Sequence, residues 1–457
     1  MDDFFSHETL KYPPSLSKDG EIRSGNKADL LICLKTLNDT PAAVPPIVDS
    51  ACLEGSVLVN MIKPNTNQSF KLYAKDVFTP QVEKYAKEYK AQRIDVVFDI
   101  YKPMSLKAAA RIKRGKGIRR KVEPNSTAPA NWGAFLRINE NKSELFRFLS
   151  HEILKNSNLD NLVSAFDDIS LCNSMPSDIS LISPTNHEEG DTRVFLHVND
   201  MAIKGYRKIA IRTVDTDVLV LAISVFSEIK DLVDELWIDF GTGKSRVLYA
   251  VHSMYIAIGE EKAKAIRFFH SFTGCDQVSY MAHVTKKSAW KVWQIYPEVT
   301  KYFIKLSNQP SIDDVKEALP TLERFTVLLY NTKSNLLTTN ECRRDLFCQG
   351  RMIDNIPPTS AALTNHVHRA AYIAGHVWGQ CLVPMQNLPS PEDWGWMLVM
   401  NKLVPKWTSL PEASYAIREL IRCGCKAGNR CTRRCKCVSA DLPCTELCLC
   451  KGDCERE

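Results

Sequence analysis

The chain has 457 residues, of which 44% are hydrophobic and 25% are charged, and these proportions are typical of a globular protein with two or three domains. The opening segment MDDFFSHETLKYPPSL is acidic and polar and lacks the apolar stretch of a secretory signal peptide. The longest apolar run, VLVLAISVF, has 9 residues, whereas a membrane-spanning helix needs about 20. We therefore expect a soluble, intracellular protein with a net charge of +6.

The predicted elements divide the chain into four segments. Residues 1–46 contain the breakers PPSLSKDG and TPAAVPP, and we expect an irregular lead-in around one short helix, KADLLICLKTL. An α/β domain is predicted over 47–335, and a helical connector rich in Trp and Pro over 336–417. The last segment, 418–457, is rich in cysteine.

Within the α/β domain, β-rich runs alternate with amphipathic helical stretches. The runs are IVDSACL, RIDVVFD, KIAIRTV and DELWIDFG, and a mainly helical extension follows from about residue 255. This alternation predicts an α/β/α sandwich with a mostly parallel central sheet, a class that places sites at the carboxyl ends of its strands. FGTGKS, residues 240–245, lacks the spacing of a phosphate-binding loop and is predicted to be a turn between two strands.

One segment, KAAARIKRGKGIRRK at 107–121, is strongly basic and contains no acidic residue. Such a run can be a solvated surface, a nuclear-import signal or a phosphate-binding region. Its cationic residues are Lys107, Arg111, Lys113, Arg114, Lys116, Arg119, Arg120 and Lys121.

Acidic residues recur at the ends of the predicted strands and at the starts of helices. They are Asp99, Glu189, Asp191, Asp215, Asp217 and Asp276. Each alone has an ordinary explanation, because carboxylates suit the positive end of a helix and Asp217 could cap the helix VLVLAISVF. Gathered at one sheet edge they would repel one another unless a cation compensates, and Mg²⁺ is a cation that prefers oxygen ligands. Two such ions about 4 Å apart can activate water and stabilise the leaving oxygen in phosphodiester hydrolysis.

The order of these motifs over about residues 47–300 resembles the flap-endonuclease (XPG-type) branch of the PIN-like nucleases. LEGSVLVNMIKP, with Glu54, is similar to the family's first strand-end acid and the apolar helix after it. VVFDIYKPMSLKAAARIKRGKGIRR is similar to its next strand ending in FD and its basic helix, with Asp99 in the ligand place.

Three further motifs follow in the family's order. E-G-D, with Glu189 and Asp191, is similar to the family's E-x-E, and TVDTD is similar to its (S/T)-x-D-x-D. TGCDQVS, with Asp276, followed by TKKSAWKVW, is similar to its G-x-D and the helix–hairpin–helix that grips duplex DNA.

The resemblance implies a nuclease that uses a pair of Mg²⁺ or Mn²⁺ ions on branched or flapped DNA. Its metal ligands would be Glu54, Asp99, Glu189, Asp191, Asp215, Asp217 and Asp276. The basic segment would form an arch-like helical region around a single strand, and Lys286 and Lys287 would touch duplex phosphates.

The sequence departs from the family pattern at three places. Glu54 replaces an aspartate, for which Asp49 is an alternative, Ile100 replaces a glycine, and the hairpin MAHVTKKSA lacks glycines. A second hypothesis is therefore a DNA- or chromatin-binding protein of the same fold that has lost catalysis and was domesticated from a mobile element. Both hypotheses predict a nuclear protein, and neither predicts an oligomeric state.

Nine of the 16 cysteines lie between Cys423 and Cys454. An odd number leaves one thiol over if all form disulfides, whereas six terminal and three bridging thiolates would complete three tetrahedral zinc ions. The nine are Cys423, Cys425, Cys431, Cys435, Cys437, Cys444, Cys448, Cys450 and Cys454.

The spacing of these cysteines resembles the CXC domain of tesmin-type chromatin proteins. This resemblance implies zinc binding and DNA contacts by basic residues beside the cluster, here Arg433 and Arg434. A purely structural or protein-docking role is the alternative.

Overall fold

The protein is described from a computed structural model. The structure describes residues 2–36, 44–101, 105–106, 117–174, 178–413, 423–425 and 435–440, together with Leu442, Cys444, Cys448 and Cys450. Among these residues, no helix combines the length and the apolar character that crossing a lipid bilayer requires.

The strands form one large sheet and two small hairpins. In chain order they are β1 (Ser17–Lys18), β2 (Glu21–Ile22), β3 (Ser50–Glu54), β4 (Arg93–Val97), β5 (Leu162–Phe166), β6 (Ile169–Cys172), β7 (Lys208–Thr213), β8 (Glu235–Phe240), β9 (Val247–Ala250), β10 (Trp396–Val399) and β11 (Lys402–Pro405). The hairpins are β1–β2 and β10–β11.

The large sheet has seven strands in the order β6-β5-β4-β3-β7-β8-β9. The five central strands are parallel, and the edge strands β6 and β9 are antiparallel to their neighbours. The chain builds outward from β3 in one direction through β4 and β5, then in the other through β7 and β8. The strand order therefore reverses between β3 and β7, the kind of point at which parallel sheets bind ligands beyond the strand carboxyl ends.

The helices cover both faces of this sheet and extend beyond it. They are α1 (Asp2–Ser6), α2 (Ala28–Lys35), α3 (Gly55–Met61), α4 (Phe70–Tyr73), α5 (Thr79–Tyr89), α6 (Trp132–Phe135), α7 (Asn139–Asn156), α8 (Gly190–Ile203), α9 (Thr216–Ile229), α10 (Val251–Ile258), α11 (Glu260–Phe272), α12 (Lys286–Ile295), α13 (Thr300–Leu306), α14 (Ile312–Tyr330), α15 (Thr339–Cys348), α16 (Ser360–Ala371) and α17 (Lys436–Ser439). One π-helical turn, Ala74–Phe78, joins α4 to α5, and another, Tyr372–Val377, follows α16.

Alternating side chains of the strands divide the core into two parts. On β3, Leu53 packs with α5 and α7 on one face, while Cys52 packs with α8 and α9 on the other. Both side chains are fully buried, as the two-residue period of a strand in a covered sheet requires. The predicted α/β sandwich with a mostly parallel sheet and a helical extension is confirmed.

The four strands predicted inside the α/β domain are present as β3, β4, β7 and β8, and FGTGKS forms the predicted turn between β8 and β9. The sequence pattern does not predict β5 and β6. These two strands are short, and their connection is the tight turn at Asp167 and Asp168, where Asp167 has a positive φ of 44°.

The lead-in is packed onto the main body. Leu30 and Leu34 of α2 are fully buried in the larger core. The amide of Tyr280 donates to the carbonyl of Arg23 at 2.9 Å, so the chain just before α2 lies against the loop after α11. Gly25 fits there only because it has no side chain, since a Cβ at this residue would lie 2.2 Å from the Tyr280 ring.

We expect Gly25→Ala to lower the free energy of unfolding by about 1–3 kcal/mol, because the added methyl group must displace the Tyr280 ring or the backbone. Chemical denaturation of the full chain measures the change. Gly133→Ala is the matched control, because the nearest atom to its added Cβ would lie 3.9 Å away. Equal stability of the two variants would contradict the close packing at Gly25.

Candidate functional site

The predicted acids meet in a cleft of about 1000 Å³ at the point where the strand order reverses. Six of them line it: Glu54, Asp99, Glu189, Asp191, Asp215 and Asp276. The seventh, Asp217, is buried beside it, and one carboxylate oxygen each from Asp191, Asp215 and Asp217 lies within 4.8 Å of the other two. The structure thus brings together every residue that the sequence suggested as a ligand of the divalent-ion centre.

Glu54 is the last residue of β3 and lies under the cleft. Its carboxylate accepts hydrogen bonds from the hydroxyls of Thr213 at 2.7 Å and Ser56 at 3.2 Å. Burial, together with the charges of Asp99 and Asp191, raises the pKa of Glu54 well above its ordinary value. In the metal-free protein Glu54 therefore binds a proton more readily than an exposed glutamate.

Asp49, the alternative to Glu54, directly precedes β3. It therefore lies at the N-terminal end of the parallel strands, whereas the cleft lies at their carboxyl ends. Its carboxylate accepts the amides of Arg207 and Lys208, both at 2.8 Å, where β7 begins. Glu54, not Asp49, is therefore the acid of the first strand that faces the cleft.

Asp99 follows β4 and is fixed by two hydrogen bonds. Its Oδ1 accepts the amide of Gly190 at 3.1 Å, and its Oδ2 accepts the hydroxyl of Tyr101 at 3.1 Å. A Cβ at Gly190 would lie 2.4 Å from Asp99 Oδ1. The middle residue of the E-G-D motif is thus glycine because the Asp99 carboxylate occupies the space of a side chain.

Glu189 and Asp191 lie on either side of that glycine, at the N-terminus of α8. Glu189 is the residue before the helix and accepts a hydrogen bond from the Gln277 amide at 2.8 Å. Asp191 lies in the first turn and is buried. The positive end of the helix dipole stabilises both carboxylates there.

Asp215 serves as both a helix cap and a cleft residue. Its Oδ1 accepts the amide of Asp217 at 2.9 Å at the start of α9, while its side chain remains 29% exposed towards the cleft. Asp217 is buried, and its Oδ1 lies 2.9 Å from Nε2 of His270. Burial, together with the nearby ammonium of Lys286, lowers the pKa of His270 to about 4, so a neutral imidazole donates this bond.

Lys27 is a site residue that the sequence did not reveal. Its Nζ lies 2.7 Å from Asp217 Oδ2, 2.9 Å from Asp276 Oδ1 and 3.6 Å from Asp215 Oδ1. Burial would lower the pKa of Lys27, but the three carboxylates outweigh it and raise that pKa above its ordinary value. The lead-in therefore supplies a permanent positive charge to the acidic cleft.

The wall of the cleft near Asp99 also contains cationic side chains. Arg137 and Lys142 line it, and the ammonium of Lys142 lies 3.9 Å from the centre of the Tyr101 ring. A cation above a tyrosine face is attracted by the ring quadrupole. The cleft thus combines carboxylates with positive groups suited to a phosphate.

The residues predicted to contact DNA have different outcomes. Lys107, Arg111, Lys113, Arg114, Lys116, Arg433 and Arg434 lie outside the described residues. Arg119 and Arg120 are exposed, and the guanidinium of Arg119 pairs with Glu144. Their contact with DNA stays a prediction.

The prediction for Lys286 is wrong, while that for Lys287 stays open. Lys286 is fully buried, and its ammonium donates to the carbonyl of His270 at 2.7 Å and to the Thr273 hydroxyl at 2.8 Å. It therefore faces the core beneath Asp217 and cannot reach a phosphate. Lys287, one residue later, is exposed.

Seven of the nine clustered cysteines lie within the described residues, and Cys431 and Cys454 lie outside them. Two groups of four are arranged to share a metal ion: Cys423, Cys444, Cys448 and Cys450, and Cys423, Cys435, Cys437 and Cys444. None of the described cysteines forms a disulfide.

The sulfur spacing fits a zinc site. Sγ of Cys423 lies 3.7 Å from that of Cys444 and 3.8 Å from that of Cys450. Tetrahedral zinc with bonds of about 2.3 Å separates its sulfur ligands by about 3.8 Å. Cys423 and Cys444 belong to both groups, as bridging thiolates would.

Comparison with solved structures finds bacteriophage T5 proteins. A T5 protein co-crystallised with metal ions is 12% identical with a TM-score of 0.39, and a T5 5′-exonuclease mutant is 10% identical with a TM-score of 0.36. A T5 flap endonuclease in a pseudo-enzyme-product complex with DNA and metal ions is 12% identical with a TM-score of 0.38. Each alignment covers 73% of this chain and 90% of the T5 chain. No protein-family model and no curated protein matches this chain.

The buried ammonium of Lys286 predicts a pH dependence of stability. Burial lowers the pKa of Lys286 from 10.5 to about 7. Between these values the unfolded chain binds more protons at this residue than the folded chain does, so its contribution to stability rises with pH. We expect the wild type to gain stability relative to Lys286→Met from about pH 7 to about pH 10.

Denaturation curves at several pH values measure this difference. Lys287→Met, at the exposed neighbour, is the control and should follow the wild type throughout. A constant difference between wild type and Lys286→Met would contradict the buried position of the ammonium.

Proposed function

We propose that the protein is a divalent-metal-dependent nuclease that hydrolyses phosphodiester bonds of branched or flapped DNA. The supporting observation is that acids from five separate parts of the chain converge at the strand-order reversal, with ligand atoms of Asp191, Asp215 and Asp217 within 4.8 Å of one another. The order of the motifs that contain these acids, which resembles XPG-type nucleases, supports the same reaction class.

The donor set fits Mg²⁺ or Mn²⁺. All seven side chains offer carboxylate oxygens, which hard divalent cations prefer. A bound pair of such ions supplies an activated water and stabilises the leaving oxygen of the phosphodiester. Several of these carboxylates are oriented by a neighbour, as Asp99 is by the Gly190 amide and Glu189 by Gln277, so these ligands are held in place before an ion binds.

The remaining residues of the cleft bind and orient the substrate. Arg137 and Lys142 line the cleft and are suited to the phosphates on either side of the bond that is cleaved. Lys287 on α12 is exposed and would contact duplex phosphates beyond the cleft. The basic segment 107–121 follows β4 in the sequence and would bind the single strand.

We expect Asp215→Asn to lower the cleavage rate of a 5′-flapped DNA by about a hundredfold or more, because an amide gives up the negative charge that binds the metal. Asparagine can still cap α9, so the fold should persist. Cleavage assays with Mg²⁺ and with Mn²⁺ measure the rate.

Asp49→Asn is the matched control. Asp49 accepts the Arg207 amide at the N-terminal end of the strands, away from the cleft, so its replacement should leave the rate unchanged. If the purified wild type binds flapped DNA and cleaves none of a panel of branched substrates, the protein is a binding protein and the nuclease proposal is wrong.

We further propose that the tail binds three zinc ions and serves as a DNA anchor, and that the protein acts in the nucleus. The two four-cysteine groups that share Cys423 and Cys444 support a cluster with bridging thiolates. The basic residues around the tail, Arg433 and Arg434 among them, would offset the negative charge of such a cluster and contact phosphate.

We expect about three zinc ions per chain by elemental analysis, as nine thiolates allow. Cys423→Ser should lose more zinc than Cys348→Ser, because Cys423 belongs to both groups and Cys348 is an exposed cysteine on α15. Equal zinc contents in these two variants would count against the shared cluster.

A further inference from the structure

We propose that Lys27 acts as a resident cation of the carboxylate centre, occupying one of its two cation positions in the free protein. The inference rests on the proposed function, because it concerns the same metal centre. It assigns a role to a residue of the lead-in, which lies outside the segment that the sequence identified as nuclease-like.

The contacts of the acids divide the centre into two halves. Glu54 lies in one half, where the charges of Asp99 and Asp191 act on it most strongly. Lys27 lies in the other half, against Asp217 and Asp276. Asp191 and Asp215 border both halves, since the charges of both act on Glu54 and a ligand atom of each lies within 4.8 Å of one on Asp217. The Oδ1 of Asp215 also lies 3.6 Å from Lys27 Nζ.

The ammonium of Lys27 is placed where a cation would be needed. It contacts carboxylates from the start of α9 and from the loop after α11, and it lies between them. One unit charge among three carboxylates offsets only part of their repulsion. Because Lys27 already lies against Asp217 and Asp276, a divalent ion is expected to bind first in the half that contains Glu54.

The backbone around Lys27 is held in place. Gly25 packs against Tyr280, only four residues beyond Asp276, and the buried Leu30 and Leu34 anchor α2. The side chain itself is 20% exposed and has a flexible four-carbon stem. The ammonium can therefore move away from the carboxylates without unfolding α2. A second divalent ion could then take its place, or a substrate phosphate could pair with it.

Removing this charge should raise the affinity for the second ion. Lys27→Met keeps the length of the side chain, and Lys27 makes no side-chain hydrogen bond at the start of α2, so the helix should remain. We expect free Mn²⁺, followed by electron paramagnetic resonance in the absence of DNA, to fill one site per chain in the wild type. The variant should bind a second ion at least about tenfold more tightly than the wild type does.

Lys35→Met is the matched control, since Lys35 is an exposed lysine of the same helix and its loss changes the net charge equally. The full chain with its tail loaded with zinc is used throughout. Should Lys27→Met fail to fold, Lys27→Gln replaces it, and melting curves in EDTA establish which variants are folded.

The outcomes separate this inference from the nuclease proposal. Tighter second-site binding in Lys27→Met, with Lys35→Met unchanged, supports the resident cation. Equal Mn²⁺ binding by wild type and Lys27→Met overturns it, and leaves the nuclease proposal standing if DNA is still cleaved. No Mn²⁺ binding by any variant overturns the metal centre and both proposals.

Discussion

The repulsion between carboxylates at one edge of the sheet is the constraint on which the rest of the structure depends. Parallel strands place their carboxyl ends together, and this chain ends β3, β4 and β7 with acids or with loops that supply them. Like charges at such distances destabilise the folded state unless protons, hydrogen bonds or cations compensate. Hydrogen bonds and the Lys27 cation are present around the cleft, and burial raises the pKa of Glu54, which favours its protonated form.

The compensation is distributed across distant parts of the chain. Thr213 and Ser56 donate hydrogen bonds to Glu54, the Gly190 amide donates to Asp99, and neutral His270 donates to Asp217. The helix dipoles of α8 and α9 add partial positive charge at their N-termini. The positions at which α8 and α9 begin follow from these contacts. Residues at the start of each helix both supply carboxylates to the cleft and cap or charge the helix N-terminus.

The sequence predicted the features that local pattern determines. β-rich runs located four central strands, and the acids after them had to converge because the strands are parallel. The prediction for Lys286 was wrong although the sequence contained a signal for its burial. In TKKSAWKVW, residues 286, 289, 290 and 293 share one helical face, and the two tryptophans on that face pack into the core. The first lysine is therefore buried and the second exposed.

Lys27 could not have been found in this way. It precedes Asp217 by 190 residues, and nothing in GNKADLLICLK indicates that the lysine meets an acid. Its position follows from tertiary packing, through the contact of Gly25 with Tyr280 and the burial of α2. Similarly, no local pattern shows that the glycine of E-G-D makes room for Asp99, because the two residues are 91 positions apart.

The packing of the lead-in has a consequence for how the protein should be produced. A composition-based boundary at residue 47 would yield a fragment that contains all seven acids and appears complete by its motifs. That fragment would lack the ammonium between Asp217 and Asp276, and it would expose the core surface that Leu30 and Leu34 cover. Metal affinities and cleavage rates measured on it would describe a differently charged cleft from that of the full chain.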